Sequence, residues 1–268
     1  MIFIEKKGRF GNFLFQYFVA KYIQKFNKQK IIIFSKNENI NSFNSKKNID
    51  SLVNEYFALP KYSKFLNTWK KRCFYINDQN YKEVLRNNTF TKNNFFYIDG
   101  FFQDIDLINK NSDILKNILN KNKLNLLNNF TYADLTIHIR HLHKELGTLD
   151  SNLLHQDQPE LKLYQKIIEE LNPKKIKVIC SIKNNDMYKK LKTIYKDRIF
   201  LETKNDVFDF VNIINSKNII LSNSTYALWG SLLSNAKNIY VPNIGILKNI
   251  LKKNINLKNN FIYRENEN

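Results

Sequence analysis

Residues 176–241 read IKVICSIKNNDMYKKLKTIYKDRIFLETKNDVFDFVNIINSKNIILSNSTYALWGSLLSNAKNIYV. Short apolar runs alternate here with segments of about ten residues at helical spacing. The spacing predicts strands at Ile176–Cys180, Ile199–Leu201, Asn218–Leu221 and Asn238–Val241, separated by helices at Asp186–Tyr195, Val207–Asn215 and Thr225–Ser234. Strands without polar alternation are covered on both faces, and the helices between them are the crossovers that a parallel sheet requires. Immediately upstream, Leu135–Ile139 reads as one more strand and Glu160–Leu171 as one more helix. Sheets of this kind bind ligands beyond the carboxyl ends of their strands.

The first half is less regular but starts in the same way. A strand at Ile2–Glu5 leads through a Gly8–Asn12 turn into a helix at Phe13–Phe26 and a strand at Lys30–Phe34; a further strand, Phe95–Asp99, ends at Gly100 before another helical stretch. The polar stretch 121–129, rich in Asn, Lys and Leu, is a candidate boundary. The expectation is an α/β protein of two Rossmann-like lobes across a cleft, 1–128 and 129–268.

The chain has 268 residues, enough for one large or two modest domains. With 43% hydrophobic residues, 6 Gly and 4 Pro, it is neither disordered nor collagen-like. Apolar runs are strand-sized, so no membrane span is expected, and without a leader pattern at Met1–Glu5 a cytoplasmic location is expected. Cys73 and Cys180 fit no disulfide scaffold or zinc motif and read as small hydrophobes.

A net charge of +19 favours anionic partners: nucleotide phosphates, diphosphate lipids or an anionic inner membrane surface. The basic residues are nearly all Lys, with Arg only at Arg9, Arg72, Arg86, Arg140, Arg198 and Arg264. Readers of phosphates and bases favour the forked guanidinium, so no nucleic-acid partner is expected, although a non-catalytic basic binder of anions or nucleic acid stays as an alternative.

Three segments carry candidate chemistry. In GRFGNFLFQYFVAKY (8–22), Gly11 and Asn12 fall between a strand and a helix, where backbone N–H groups can meet an anion or simply form an ordinary turn. In LTIHIRHLHKELG (135–147), His138 and Arg140 alternate at a strand tip and so share a face; Arg140 can fork onto a pyrophosphate or pair with a surface carboxylate. In IILSNSTYALWGSLL (219–233), Ser222, Asn223, Ser224 and Thr225 join a strand to a helix, either as a plain N-cap or as a phosphate cradle.

All four histidines, His138, His141, His143 and His155, lie in one region with Glu145, Asp150 and Asp157, yet their spacing demands no metal. Asp104 and Asp106 form an Asp-x-Asp string where a helix should begin, and first-turn carboxylates explain them. No metal or cofactor is expected. His143, Glu145 and Asp150 are candidates for a catalytic base by proximity alone.

Taken in order, the segments resemble the bacterial α-1,2-fucosyltransferases of glycosyltransferase family 11. Gly8–Tyr17 is similar to that family's GGLGNQMFQYA-like opening, Gly100-Phe101-Phe102-Gln103 to its G-Y-[FW]-Q segment, His138-Ile139-Arg140 to the start of its HIRRGDY, and Asn223–Gly230 to its NSTFSWWGA. The resemblance implies a GT-B-like fold, inversion at the anomeric carbon and GDP-fucose as donor without an obligatory metal. It further implies a galactose-type acceptor on a surface glycan, as an oligosaccharide or lipid-linked precursor. The acceptor falls to the first lobe and the donor to the second, with Arg140 on the diphosphate beside Ser222–Thr225, His138 as its catalytic neighbour, and Gly11 and Asn12 counted with the donor-binding residues. Where the family carries Arg-Gly-Asp, this chain has His141-Leu142-His143, which leaves another GDP-sugar as an alternative donor.

Overall fold

The computed structural model describes residues 1–34, 49–53, 71–87, 95–120, 130–140, 158–180, 184–251 and 260–265. Two compact units, Met1–Leu126 and Leu127–Asn268, divide the chain. In the first, β1 (Ile2–Glu5), α1 (Phe10–Asn27), β2 (Ile31–Phe34), β3 (Phe74–Asn77), α2 (Tyr81–Arg86), β4 (Phe96–Asp99), α3 (Ile105–Lys110) and α4 (Ser112–Leu115) follow one another, with a 3-10 turn at Ile49–Leu52. The sheet runs β2-β1-β4-β3, and all its pairs are parallel, with Ile2 beside both Ile31 and Phe96.

The second unit begins with β5 (Leu135–Ile139), α5 (Leu161–Leu171), β6 (Ile176–Cys180) and α6 (Asp186–Tyr195), and continues with β7 (Ile199–Leu201), α7 (Asp206–Ile214) and β8 (Asn218–Ile220). It closes with α8 (Thr225–Leu232), β9 (Asn238–Pro242), α9 (Gly245–Leu251) and β10 (Asn260–Arg264). Six parallel strands run in the order β10-β9-β8-β5-β6-β7.

Every residue of β5 and of β6 is buried, which is why their sequences lack alternation. Against them α5 packs Leu163, Tyr164, Ile167 and Ile168, one face of a helix whose other side is polar. Side-chain caps start three of the helices in this unit: Asn185 accepts from Tyr188 N–H, Asn205 from Phe208 N–H and Ser224 from Ala227 N–H. Cys180 is buried, Cys73 half-buried, and both are free thiols.

Two differences from the sequence reading concern the first unit. The helix read as starting at Phe13 begins at Phe10, so Gly11 and Asn12 lie in its first turn rather than in a turn before it. The left-handed residue that turns the chain is Gly8, at φ 69°, and Phe10 and Phe13 can then both be buried. Strands β3 and β10, at sheet edges, were not read from the sequence. The candidate boundary 121–129, the histidines His141, His143 and His155, and the candidate carboxylates Glu145, Asp150 and Asp157 lie outside the described residues. No described helix is long and apolar enough to cross a membrane.

Candidate active site

In each sheet the chain order reverses once between neighbouring strands: between β1 and β4 in the first unit, and between β5 and β8 in the second. Crossovers from the two neighbours leave on opposite sides there, which opens a crevice at the carboxyl edge. The motif residues converge on these two points.

At the β5/β8 point, His138 and Arg140 both face the turn that follows β8. Their spacing of two puts them on one side of the strand path. His138 Nδ1 stands 2.7 Å from Ser222 Oγ, and Arg140 Nη1 donates to the Asn223 carbonyl at 2.5 Å. Gln158 in turn donates to the Arg140 carbonyl at 2.6 Å. Asn223 is buried and works at both ends: its side-chain oxygen accepts the N–H groups of Ile246, at 2.9 Å, and Leu247, in the first turn of α9. Ser224 caps α8, so Thr225 and Tyr226 present first-turn N–H groups at that helix's electropositive end. The set comprises a guanidinium fixed by a carbonyl, a helix N-terminus and hydroxyls, and it suits a phosphate-bearing ligand.

His138 is 7% exposed. Burial, reinforced by the Arg140 charge, lowers its pKa to about 3. Its ring is therefore neutral at physiological pH, and its chemistry is to hold the Ser222 hydroxyl rather than to carry a charge.

At the β1/β4 point, Gln16 is fully buried and acts as a brace. Its amide donates to the Gly100 carbonyl at 2.7 Å and its oxygen accepts the Lys7 N–H at 3.1 Å. One helical turn earlier, Asn12 Oδ1 accepts from Gln103 Nε2 at 3.0 Å. The first two motif segments are thus bonded to each other. Gly100 must be glycine because a Cβ there would stand 2.9 Å from the Asp78 carboxylate, which holds the N–H groups of Phe101 and Phe102. Phe102 itself adopts φ 48° and is buried.

The ends of β1 and β4 add carboxylates the sequence reading did not single out: Glu5 accepts from the Tyr97 hydroxyl, and Asp99 accepts from Tyr75 and pairs with Lys7. The signal for Glu5 and Asp99 was a charged residue closing an apolar strand. Nothing in sequence marked the bond from Gln16 to Gly100 or the second role of Asn223, since both depend on residues more than twenty positions away.

Asp104 is the N-cap of α3, accepting from Leu107 N–H at 3.1 Å and from the Tyr81 hydroxyl at 2.8 Å. Burial opposes its ionisation, but these donors together with Lys82 hold its carboxyl below the ordinary range. Among the described residues no group of three His, Cys, Asp or Glu stands together as metal ligands would.

The family described as Glycosyl transferase family 11 matches residues 1–265. No curated protein sequence matches the chain. Among solved structures, it is similar to fucosyltransferase NodZ from Bradyrhizobium, with a TM-score of 0.52 and 12% identity over 87% of this chain and 93% of that one. It is also similar to a mutant of Arabidopsis thaliana FUT1 in complex with GDP, with a TM-score of 0.55 and 12% identity over 90% and 69% of the two chains. E. coli ADP-heptose lps heptosyltransferase II gives a TM-score of 0.51 and 10% identity over 90% and 84%. Identities this low speak to fold alone, and the shared fold is the two-lobed α/β architecture of GT-B glycosyltransferases.

Proposed function

The chain belongs to glycosyl transferase family 11 and is a glycosyltransferase, and on that premise we propose that it moves L-fucose from GDP-fucose to a galactose-type hydroxyl of a bacterial surface glycan or its lipid-linked precursor, forming an α-1,2 linkage with inversion. Membership in an enzyme family sets aside the non-catalytic reading of the basic surface. Two of the similar structures are of proteins named as fucosyltransferases or FUT1, and the FUT1 structure holds GDP. The single observation that carries the donor assignment is Arg140, fixed at the tip of β5 by the Asn223 carbonyl beside the N-terminus of α8.

In this reading the acceptor hydroxyl oxygen attacks the anomeric carbon while the bond from that carbon to the β-phosphate oxygen breaks. The electron pair leaves with GDP, and the hydroxyl proton passes to a base. Charge grows on the diphosphate as the bond breaks; Arg140 and the first-turn N–H groups of α8 neutralise it. His138 and Ser222 position that turn, and in the first unit Asn12 and Gln16 hold the chain at Gly100–Gln103. His143, Glu145 and Asp150 remain the base candidates. The protein is placed in the cytoplasm, in peripheral contact with an anionic inner membrane, and no metal enters the mechanism.

Incubation of pure protein with GDP-fucose, alone and then with lactose-like and lipid-linked acceptors, tests the proposal, with linkage analysis of the product. Acceptor-dependent GDP release with a 1,2-linked product is expected; absence of GDP release under every condition overturns it. His141-Leu142-His143, in place of the family's Arg-Gly-Asp, favours one second reading, transfer from a different GDP-sugar. Release of GDP from that sugar but not from GDP-fucose would establish it.

A further inference from the structure

The chain between β4 and α3 is held in one conformation from several sides. Gln16 donates to the Gly100 carbonyl at 2.7 Å, the Asp78 carboxylate accepts the Phe101 N–H at 2.9 Å and the Phe102 N–H at 2.7 Å, and Gln103 donates to Asn12 at 3.0 Å. Phe102 sits at φ 48°, a conformation unfavourable for a bulky side chain. The other described non-glycine residues with positive φ, Lys28, Asn172 and Lys196, are polar and close the C-terminal ends of α1, α5 and α6, where such a turn is ordinary. Phe102 stands instead between a strand and the start of a helix.

This strained turn divides two adjacent phenyl rings. Phe102 is buried, with its ring edge-on to that of Tyr81 at 5.3 Å, whereas Phe101 is 41% exposed. Packing accounts for the first ring and not for the second. Phe101 lies just beyond the carboxyl end of β4, one of the two strands of the β1/β4 switch point, the edge at which sheets of this kind meet their ligands. Next to it, the exposed Asp78 carboxylate that holds both N–H groups has lone pairs enough to accept a hydroxyl as well. A pyranose gathers C–H hydrogens on a face and carries its hydroxyls around the rim, so a flat apolar ring covers the face while a carboxylate takes a hydroxyl at the edge. A diphosphate would be repelled by Asp78 and would gain nothing from a phenyl ring.

We propose that Phe101 is the stacking platform for the acceptor sugar, with its ring against the C–H face of a galactose-type residue and Asp78 accepting a rim hydroxyl. This rests on the acceptor reading given above for the first unit and adds the residue that recognises the sugar. Stacking leaves the equatorial hydroxyls of the ring, O2 among them, uncovered for transfer.

The probe is lactose. Saturation-transfer NMR with GDP present reads which lactose protons touch the protein, and acceptor kinetics with GDP-fucose read the same contact in turnover. In the native protein the C–H protons of the stacked galactose face should receive the strongest transfer. Phe101→Ala should weaken lactose binding and raise its KM about tenfold, the effect of uncovering roughly half of a phenyl side chain, with a smaller change in kcat. Phe101→Leu should lose nearly as much, because it restores apolar bulk without a flat face, and Phe101→Trp should retain binding. Since the ring is exposed, all three variants should keep the circular dichroism and GDP affinity of the native protein. Absence of saturation transfer to the galactose ring in the native protein overturns the inference, and so does lactose binding by Phe101→Ala or Phe101→Leu equal to the native value. If the NMR pattern holds but GDP-fucose yields no fucosylated lactose, the platform stands and the GDP-fucose reading fails. If Phe101→Ala transfers fucose with a native KM for lactose, the platform fails and the transferase reading stands.

Discussion

At Arg140 the demand is for charge that is correctly placed before bond cleavage begins. A guanidinium that donates to the Asn223 carbonyl at 2.5 Å is held at the strand tip in advance, so less reorganisation is left for the transition state. Arg140→Ala should lower the chemical rate by two to three orders of magnitude, about 3 to 4 kcal/mol, and weaken GDP binding as well. Arg140→Lys should rescue little, because an ammonium cannot fork onto two oxygens. Single-turnover kinetics with GDP titration reads both effects, and near-native values for Arg140→Ala would mean the donor lies elsewhere. His138 makes a different prediction. With a pKa of about 3 when folded, against about 6.5 when unfolded, it binds fewer protons in the native state across that window. Its contribution to stability is complete above pH 6.5 and is lost as pH falls toward 3, by up to about 1.4 kcal/mol per pH unit. Urea unfolding of the native protein and of His138→Gln at pH 7.5, 6 and 5 should show a difference that narrows toward low pH.

Between α7 and α8, the packing turns on one glycine. A Cβ on Gly230 would stand 2.6 Å from Cγ2 of Ile213 and 3.0 Å from its Cβ. Alanine in a helix normally gains about 1 kcal/mol over glycine, whereas overpacking against a stiff β-branched side chain costs about 1 to 3 kcal/mol. The second effect wins, so Gly230→Ala should lower the denaturant midpoint, and adding Ile213→Leu, which removes Cγ2, should recover part of the loss. At this scale the sequence was most readable where burial is complete. Strands β5 and β6 end where the apolar pattern said, because two-sided burial leaves nothing else to encode, and β7 and helix α6 also match their expected bounds. Two of the edge strands were less readable: in β3, Phe74 and Tyr75 are exposed, and in β10 Tyr263 is 42% exposed, so neither shows the buried run that marks a strand. The start of α1 was misplaced because Arg9 provides no side-chain cap, leaving Gly11-Asn12 as the nearest punctuation in the sequence. In the site, the strand-tip position of Arg140 and the Ser224 cap follow from local pattern. The Asn223 link to α9 and the Gln16 link to Gly100 do not, since a side chain's distant partner leaves no local trace.

Over the whole molecule, both units place their motif segments at the point where strand order reverses, yet the two points differ in charge. The β5/β8 point combines Arg140 with a helix N-terminus, whereas the β1/β4 point closes its strands with two carboxylates, Glu5 and the Lys7-paired Asp99. A diphosphate should therefore prefer the second unit, and a neutral polyhydroxyl acceptor, which needs hydrogen-bond acceptors, the first. This division predicts where GDP protects the backbone. At a GDP concentration of 100 times its dissociation constant, binding stabilises the unit that holds it by about 2.7 kcal/mol, slowing its globally exchanging amides roughly 100-fold. Hydrogen exchange should show that slowing in β5, β6 and β8 and in the first turn of α8, with β1, β4 and α1 changed far less. UDP and CMP at the same concentration should leave both units nearly unaltered. Slowing confined to Met1–Leu126 would reverse the assignment of the two units, and with it the role given to Arg140.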